Sequence, residues 1–271
     1  MTPAKPPHKR RDAAPVYTPS TLPMFTRPKN RLDFGGYDMD DFTTDLGFRA
    51  KPTAERPLMG LTILVVEDSR FASEALRLLC LRSGARIRRA DCLASARRHL
   101  QVYRPTAAII DLGLPDGSGL ELISELAEAG AHAPVILATS GAEREAAHHS
   151  ALQAGAHGFL PKPLDSLGAF QAEVLRHLPA DLQPAGPRPV PEGSVHPDEL
   201  AFREDLAHAI ELLNAPIPPV AFVRSFLIGV ARAAHDRTLE DLAIGFAPAA
   251  SGEHSALRRM ISDRIAEMAP A

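Results

Sequence analysis

The run Ala107-Ala108-Ile109-Ile110-Asp111, followed by Leu112-Gly113-Leu114-Pro115-Asp116-Gly117, decides how this chain is read. Four apolar residues lead straight into an acid, and a turn-forming Gly/Pro/Asp/Gly set follows. An unbroken apolar run bounded by turn residues reads as a strand buried on both faces. Its terminal carboxylate then stands at the C-terminal rim of a sheet, where ligands bind in open α/β folds. Taken alone, Asp111 reads equally well as a cap of the following turn. Its neighbours in sequence decide between the two.

Upstream, Leu61-Thr62-Ile63-Leu64-Val65-Val66 is a second buried strand by composition, ended by Glu67-Asp68-Ser69. Phe71, Ala75, Leu78 and Leu79 follow at helical spacing, and Ser83-Gly84 stops that helix. Ala85 to Ala90 is a short strand, and Asp91 caps a helix carrying Leu93, Ala96 and Leu100. Downstream of Asp111, Leu120, Ile123, Leu126 and Ala127 make an amphipathic helix ending near Gly130. Pro134 to Ala138 is the fourth strand, closed by Thr139-Ser140-Gly141. A helix from about Glu143 to Ala154 comes next. Gly158-Phe159-Leu160 is a short fifth strand running into Pro161-Lys162-Pro163, and a helix over about Leu164 to Leu178 completes the unit. Strands alternating with helices imply right-handed crossovers and a parallel sheet covered on both faces.

The flanks differ. Residues 1–57 are rich in Pro, Thr, Arg and Asp with little apolar periodicity, which predicts a mostly disordered segment. Within it, Lys9-Arg10-Arg11 reads as a solvated tail, and Asp38-Met39-Asp40-Asp41 with Phe34, Tyr37 and Phe42 as a weak docking segment. Residues 180–197 follow Pro179 and hold five of the six prolines between 179 and 197, with two glycines, and read as a semi-rigid linker. Residues 198–271 look helical. Leu200, Leu206, Ile210 and Leu213 fit one face, and Val220, Val223, Leu227 and Val230 with Phe222 and Phe226 fit another. Thr238-Leu239-Glu240-Asp241 resembles a helix start, and Leu257, Met260, Ile261 and Ile265 form a last stripe. About 75 residues make a marginal core alone, so this part is expected to dock on itself, on a second copy or on a partner.

The formal net charge of -3 gives no global reason to expect nucleic-acid binding. Cys80 and Cys92 read as buried thiols of a reducing compartment. No apolar run reaches the ~18 residues of a membrane span. Lys5, Lys9, Arg10 and Arg11 lack the apolar stretch of a secretory signal. The expectation is a cytoplasmic protein with no membrane partner.

In a parallel sheet all C-terminal strand ends share one rim. Glu67, Asp68 and Asp111, the hydroxyl of Thr139 and the amine of Lys162 therefore converge. Carboxylates that close repel and raise each other's pKa. A hard divalent cation removes that cost, and oxygen ligands of this kind suit Mg²⁺. A carboxylate beside such a cation is a competent nucleophile for phosphoryl transfer, with Lys162 and Thr139 placed to hold phosphoryl oxygens.

Residues about 60–180 resemble the receiver domain of two-component response regulators, the fold of the chemotaxis regulator CheY. The resemblance rests on Glu67-Asp68 after the first strand, and on Asp111 with Pro115 and Gly119 four and eight residues beyond it. Ala138-Thr139-Ser140 and Phe159-Leu160-Pro161-Lys162-Pro163 complete it. It covers a little under half of the chain. It implies a flavodoxin-like, five-stranded parallel sheet of order 2-1-3-4-5 over residues 58–179, joined by the linker to a small all-α region at 198–271. It further implies Asp111 as phosphoacceptor and Mg²⁺ held by Glu67, Asp68, Asp111 and the Gly113 carbonyl. Thr139 and Lys162 would touch the phosphoryl group, and Phe159 would switch rotamer with Thr139. Phe159 reads equally as core, and Pro163 resembles the family's cis-proline. Two departures from the family pattern are modest: Glu67 where Asp is commoner, and Ser140 where a small residue is usual.

The implied function is a phosphorylation-switched response regulator of a two-component or phosphorelay system. It would receive phosphate from a histidine kinase or histidine phosphotransfer protein and signal through protein contacts to an unknown output protein. It would have no catalysis beyond its own phosphorylation and dephosphorylation. A second copy of the chain is a further candidate partner. Residues 196–271 carry eleven acidic against seven basic residues, a margin of four, which disfavours DNA. The alternative is a transcription regulator whose helical C-terminus binds DNA or RNA polymerase. A third reading passes phosphate onward through His235, against a solvent-facing His beside a helix end. His148-His149 read as an exposed helix face rather than a metal site.

Overall fold

The structure, a computed structural model, describes residues 51–130, 133–141, 144–246 and 251–268. The expectations for residues 1–50 and the helix start at Glu143 lie outside them. Five strands form one parallel sheet: β1 (Thr62–Val66), β2 (Arg86–Ala90), β3 (Ala107–Asp111), β4 (Val135–Ser140) and β5 (Gly158–Pro161), in the order β2-β1-β3-β4-β5. Helices α1 (Arg70–Ser83), α2 (Leu93–Val102), α3 (Gly119–Ala127), α4 (Arg144–Gln153) and α5 (Leu167–His177) make the crossovers. This is the expected flavodoxin-like, CheY-like arrangement.

Strand residues alternate faces, and the two cores record it. Ile63, Val65, Ala107, Ile109, Val135 and Leu137 pack under α1 and α5. Leu64, Val66, Ala108, Ile110, Ile136 and Ala138 pack under α2, α3 and α4. All five residues of β3 are buried, as its unbroken apolar run requires.

Local signals end the elements. Gly84 adopts a left-handed φ of 88° at the C-terminus of α1. Ser118 and Glu121 form a capping box on α3. The cap of α2 differs from expectation. Asp91 does not supply it; Asp116, from the turn after β3, accepts from Leu93 N at 2.8 Å and Ala94 N at 2.9 Å. Cys80 is buried in α1, whereas Cys92 is only half-buried and precedes α2.

The proline-rich stretch lies against the sheet domain rather than spanning open solvent. Ser194 bridges Ser166, Val195 N donates to Asp165 O, and the Val195 side chain is buried in the α1/α5 core. Four helices follow: α6 (Glu199–Leu213), α7 (Val220–Ala233), α8 (Arg237–Gly245) and α9 (Ser251–Glu267). The buried face of α6 centres on Phe202, Asp205, Leu206, Ala209 and Leu213. Leu200, expected on that face, is 54% exposed. The cap of α8 is Asp236, two residues before Thr238. The helices dock on themselves, as one of the three options expected, and also on the sheet domain: their cluster includes Phe71 of α1, whose ring centroid is 5.6 Å from that of Phe202.

Candidate functional site: an acidic cluster under a helix

The period of two that sorts the core also sorts the rim. Continuing β1 by two from Val65 reaches Glu67, and β3 from Ile109 reaches Asp111. Likewise β4 from Leu137 reaches Thr139, and β5 from Leu160 reaches Lys162. All four fall on the α1/α5 side, and Asp111 pairs directly with Thr139 across the sheet. The Lys162 Nζ lies 2.9–3.0 Å from both Glu67 carboxylate oxygens and 3.3 Å from Asp111 Oδ1. Glu67, Asp68 and Asp111 each bring a carboxylate oxygen to within 4.8 Å of the others.

The turn after β3 completes the rim. Gly113–Leu114 and Gly117–Ser118 form a two-stranded antiparallel ribbon, and Leu112 N donates to Thr139 O at 3.0 Å, tying β3 to the end of β4. Gly119 closes the loop by donating to Leu112 O. A Cβ there would sit 2.0 Å from the Asp111 carbonyl oxygen, so only glycine fits. The Lys162–Pro163 peptide is cis.

Burial dominates the electrostatics. It pushes the Glu67 carboxyl well above its ordinary range, against the pull of Lys162, with Asp111 and Asp68 adding to the rise. Burial and the Asp111 charge raise Asp68 to about 7. Asp111 is also raised by burial, opposed first by Lys162 and then by the neighbouring Gly113 and Leu112 backbone. Burial disfavours the Lys162 ammonium, but Asp111, Glu67 and Asp68 outweigh it and hold its pKa above the usual lysine value. One buried ammonium thus faces three carboxyl groups that burial keeps from ionising together. A cation bound among them would favour their ionised forms. Thr139 Oγ1 is fully buried and has no hydrogen-bond partner among the described residues. The donor set is all oxygen, which fits a hard cation such as Mg²⁺.

Every sequence-derived site residue therefore gathers at this rim except Phe159. That side chain points to the opposite core, buried, with its ring 5.4 Å from His148. His235 is distant in role: it follows α7 at a left-handed φ of 56°, and its Nε2 lies 3.0 Å from Asp165 Oδ2.

Three residues of the C-terminal helices stand at the site without having been read from sequence. Asp205 of α6, 2% exposed, accepts from Ser69 Oγ at 2.7 Å, Arg70 N at 2.8 Å and Phe71 N at 3.0 Å. Burial raises its pKa against these donors. Gly229 of α7 passes over the lysine: a Cβ there would lie 3.8 Å from Lys162 Nζ. Arg232 of α7 donates to the Gly141 carbonyl and pairs with Glu240 at 2.6 Å. A signal for Asp205 was present, since an acid at an apolar-face position between Phe202 and Leu206 needs buried donors. Gly229 and Arg232 carried none.

Comparison with known proteins agrees with this geometry. Residues 63–171 match the response regulator receiver domain family. The chain is 33% identical over 141 residues to the KDP operon transcriptional regulatory protein KdpE of Escherichia coli (strain K12), covering 52% of this chain and 61% of KdpE. It is 34% identical over 134 residues to response regulator MprA of Mycobacterium sp. (strain KMS), covering 48% and 56%. The chain thus spans somewhat over half the length of these relatives. A receiver-domain structure of a response regulator from Bermanella marisrubri is 29% identical, with a TM-score of 0.35, covering 38% of this chain and 85% of that one. Among the described residues, no helix is long and apolar enough to cross a membrane.

Proposed function

We propose that the chain is a response regulator of a two-component or phosphorelay system in which Asp111 accepts a phosphoryl group. The observation that carries the reading is the Asp111 carboxylate held 3.3 Å from the buried Lys162 ammonium, beside Glu67 and Asp68. A carboxylate oxygen of Asp111 attacks phosphorus as the bond to the donor breaks. From a histidine kinase or phosphotransfer protein, imidazole leaves with the electron pair. Lys162 neutralises charge on the phosphoryl oxygens, and the unpartnered Thr139 hydroxyl donates to one of them. Mg²⁺ would be held by Glu67, Asp68, Asp111 and the Gly113 carbonyl, and when bound supplies positive charge for the transferring group. Phe159 keeps its proposed place as a rotamer switch only if its ring leaves the core.

We place the protein in the cytoplasm, where its free thiols stay reduced, with no catalysis beyond its own phosphorylation and hydrolysis. Output goes to an unidentified protein partner, a second copy of the chain being one candidate. The test is labelling with acetyl phosphate and Mg²⁺: one site is labelled in the wild type and none in Asp111→Asn. Labelling that survives the substitution rejects the assignment.

A second reading, transcription regulation, is favoured by the similarity to KdpE, a transcriptional regulatory protein. It makes DNA a candidate partner despite the acidic balance of residues 196–271. Retarded migration of DNA that weakens steeply with salt would support it.

A further inference from the structure

Helix α7 crosses the phosphoacceptor cleft. It packs against α1 and the Gly113–Leu114 ribbon, and it meets the loop after β4 so closely that a Cβ on Gly141 would lie 2.5 Å from Gly229 Cα. Arg232 ties the helix to the Gly141 carbonyl. On the other side, Asp205 fastens α6 to the first turn of α1, immediately after Asp68. What remains between α7 and the sheet rim is a cleft of about 540 Å³, lined by Glu67, Asp111, Gly113, Lys162, Gly229 and Arg232 among others. Asp111 is 6% exposed beneath it.

That space suits a small anion. It does not suit a histidine carried on a donor helix, whose diameter with side chains is about 10 Å, because α7 residues already wall the cleft. We propose that α7 is a lid that selects phosphodonors by size. Docked, it admits small acyl phosphates; a protein donor reaches Asp111 only once the Asp205 and Arg232 ties release. The proposal rests on Asp111 being the phosphoacceptor and adds which donors reach it. With an acyl phosphate, Asp111 forms the new P–O bond. The bond from phosphorus to the acyl oxygen breaks, and the carboxylate leaves with the electron pair. Gly229 is the specificity-determining position, because among the described residues outside its own helical turn the neighbour of a Cβ there is Lys162 Nζ, at 3.8 Å. A longer side chain at 229 therefore starts toward Lys162, in the wall of the cleft.

The experiment labels the full chain, with Mg²⁺, using acetyl phosphate and the rigid 4-biphenylcarbonyl phosphate. Each rate is divided by that donor's rate with free hydroxylamine to remove intrinsic reactivity. The normalised wild-type rate should favour acetyl phosphate by roughly tenfold or more. Asp205→Ala should bring the two donors to within about threefold, and Gly229→Leu should slow acetyl phosphate by roughly tenfold. Equal normalised rates in the wild type overturn the lid, whatever the variants do. So does an unchanged ratio in Asp205→Ala that still labels. Labelling that persists in Asp111→Asn, or none in the wild type, instead overturns the phosphoacceptor assignment beneath it.

Discussion

The sheet domain and the C-terminal helices bury their apolar residues by different rules. In the sheet, each strand feeds two cores by strict alternation, and the strand ends carry polar groups whose direction the same alternation sets. In the helices, one stripe per helix feeds a single cluster, and that cluster closes only by taking Phe71 from α1. The first region carries its chemistry at its own edge. The second has little chemistry of its own and acquires a role by where it docks. Regions that look featureless in isolation are thus to be judged against the surface they cover.

If that contrast is right, disturbing the helices should be felt as one event with the sheet. Phe202 is buried against Phe71. Phe202→Ala should cost about 3–5 kcal/mol and still give a single denaturant transition by circular dichroism. Two separated transitions would mean that the helices are an independent body. A smaller effect probes the polar half of the same seam. Asp205→Ala leaves Ser69 and two first-turn amides of α1 without their acceptor and should cost about 2 kcal/mol, read from the denaturation midpoint at constant slope.

The smallest expected effect concerns the edge itself. Burial and Asp111 raise Asp68 to about 7, so the folded state binds this proton more tightly than the unfolded chain. The contribution is fully present below the unfolded carboxylate pKa and is lost as pH rises through about 7. In chelator, thermal stability should therefore fall more steeply from pH 5 to pH 8 in the wild type than in Asp68→Asn. Added Mg²⁺ should flatten the wild-type slope. Equal slopes without metal would mean that Asp68 is not held protonated.

Much of the site was readable without coordinates because its signals are local. Asp111 ends an apolar run; Pro115 and Gly119 follow at fixed offsets. The need for Gly119 has a plain cause in the Asp111 carbonyl that occupies the place of a Cβ. Lys162 between two prolines had no packing purpose to compete with a chemical one. Other readings failed where a local rule met a distant competitor. Asp91 stood in the right place to cap α2, but Asp116 reached the same amides from another loop. Leu200 was assigned to a buried face because the stripe of α6 was drawn without Phe202 and Ala209, and the true stripe holds an acid. The prolines near 190 suggested a semi-rigid linker but gave no sign that Val195 within it is buried in the α1/α5 core.

Composition and periodicity by themselves determined that β1, β3 and β4 are buried strands, that their ends share a rim, and that three acids and a lysine meet there. Those properties follow from residues within a few positions of one another and from the period of the backbone. Only the tertiary structure decided that Asp205 caps α1 and that α7 roofs the cleft with Gly229 above Lys162. An amphipathic helix states which face must leave water. It does not state what covers that face, because the hydrophobic drive is non-directional, and shape and buried hydrogen bonds make the choice.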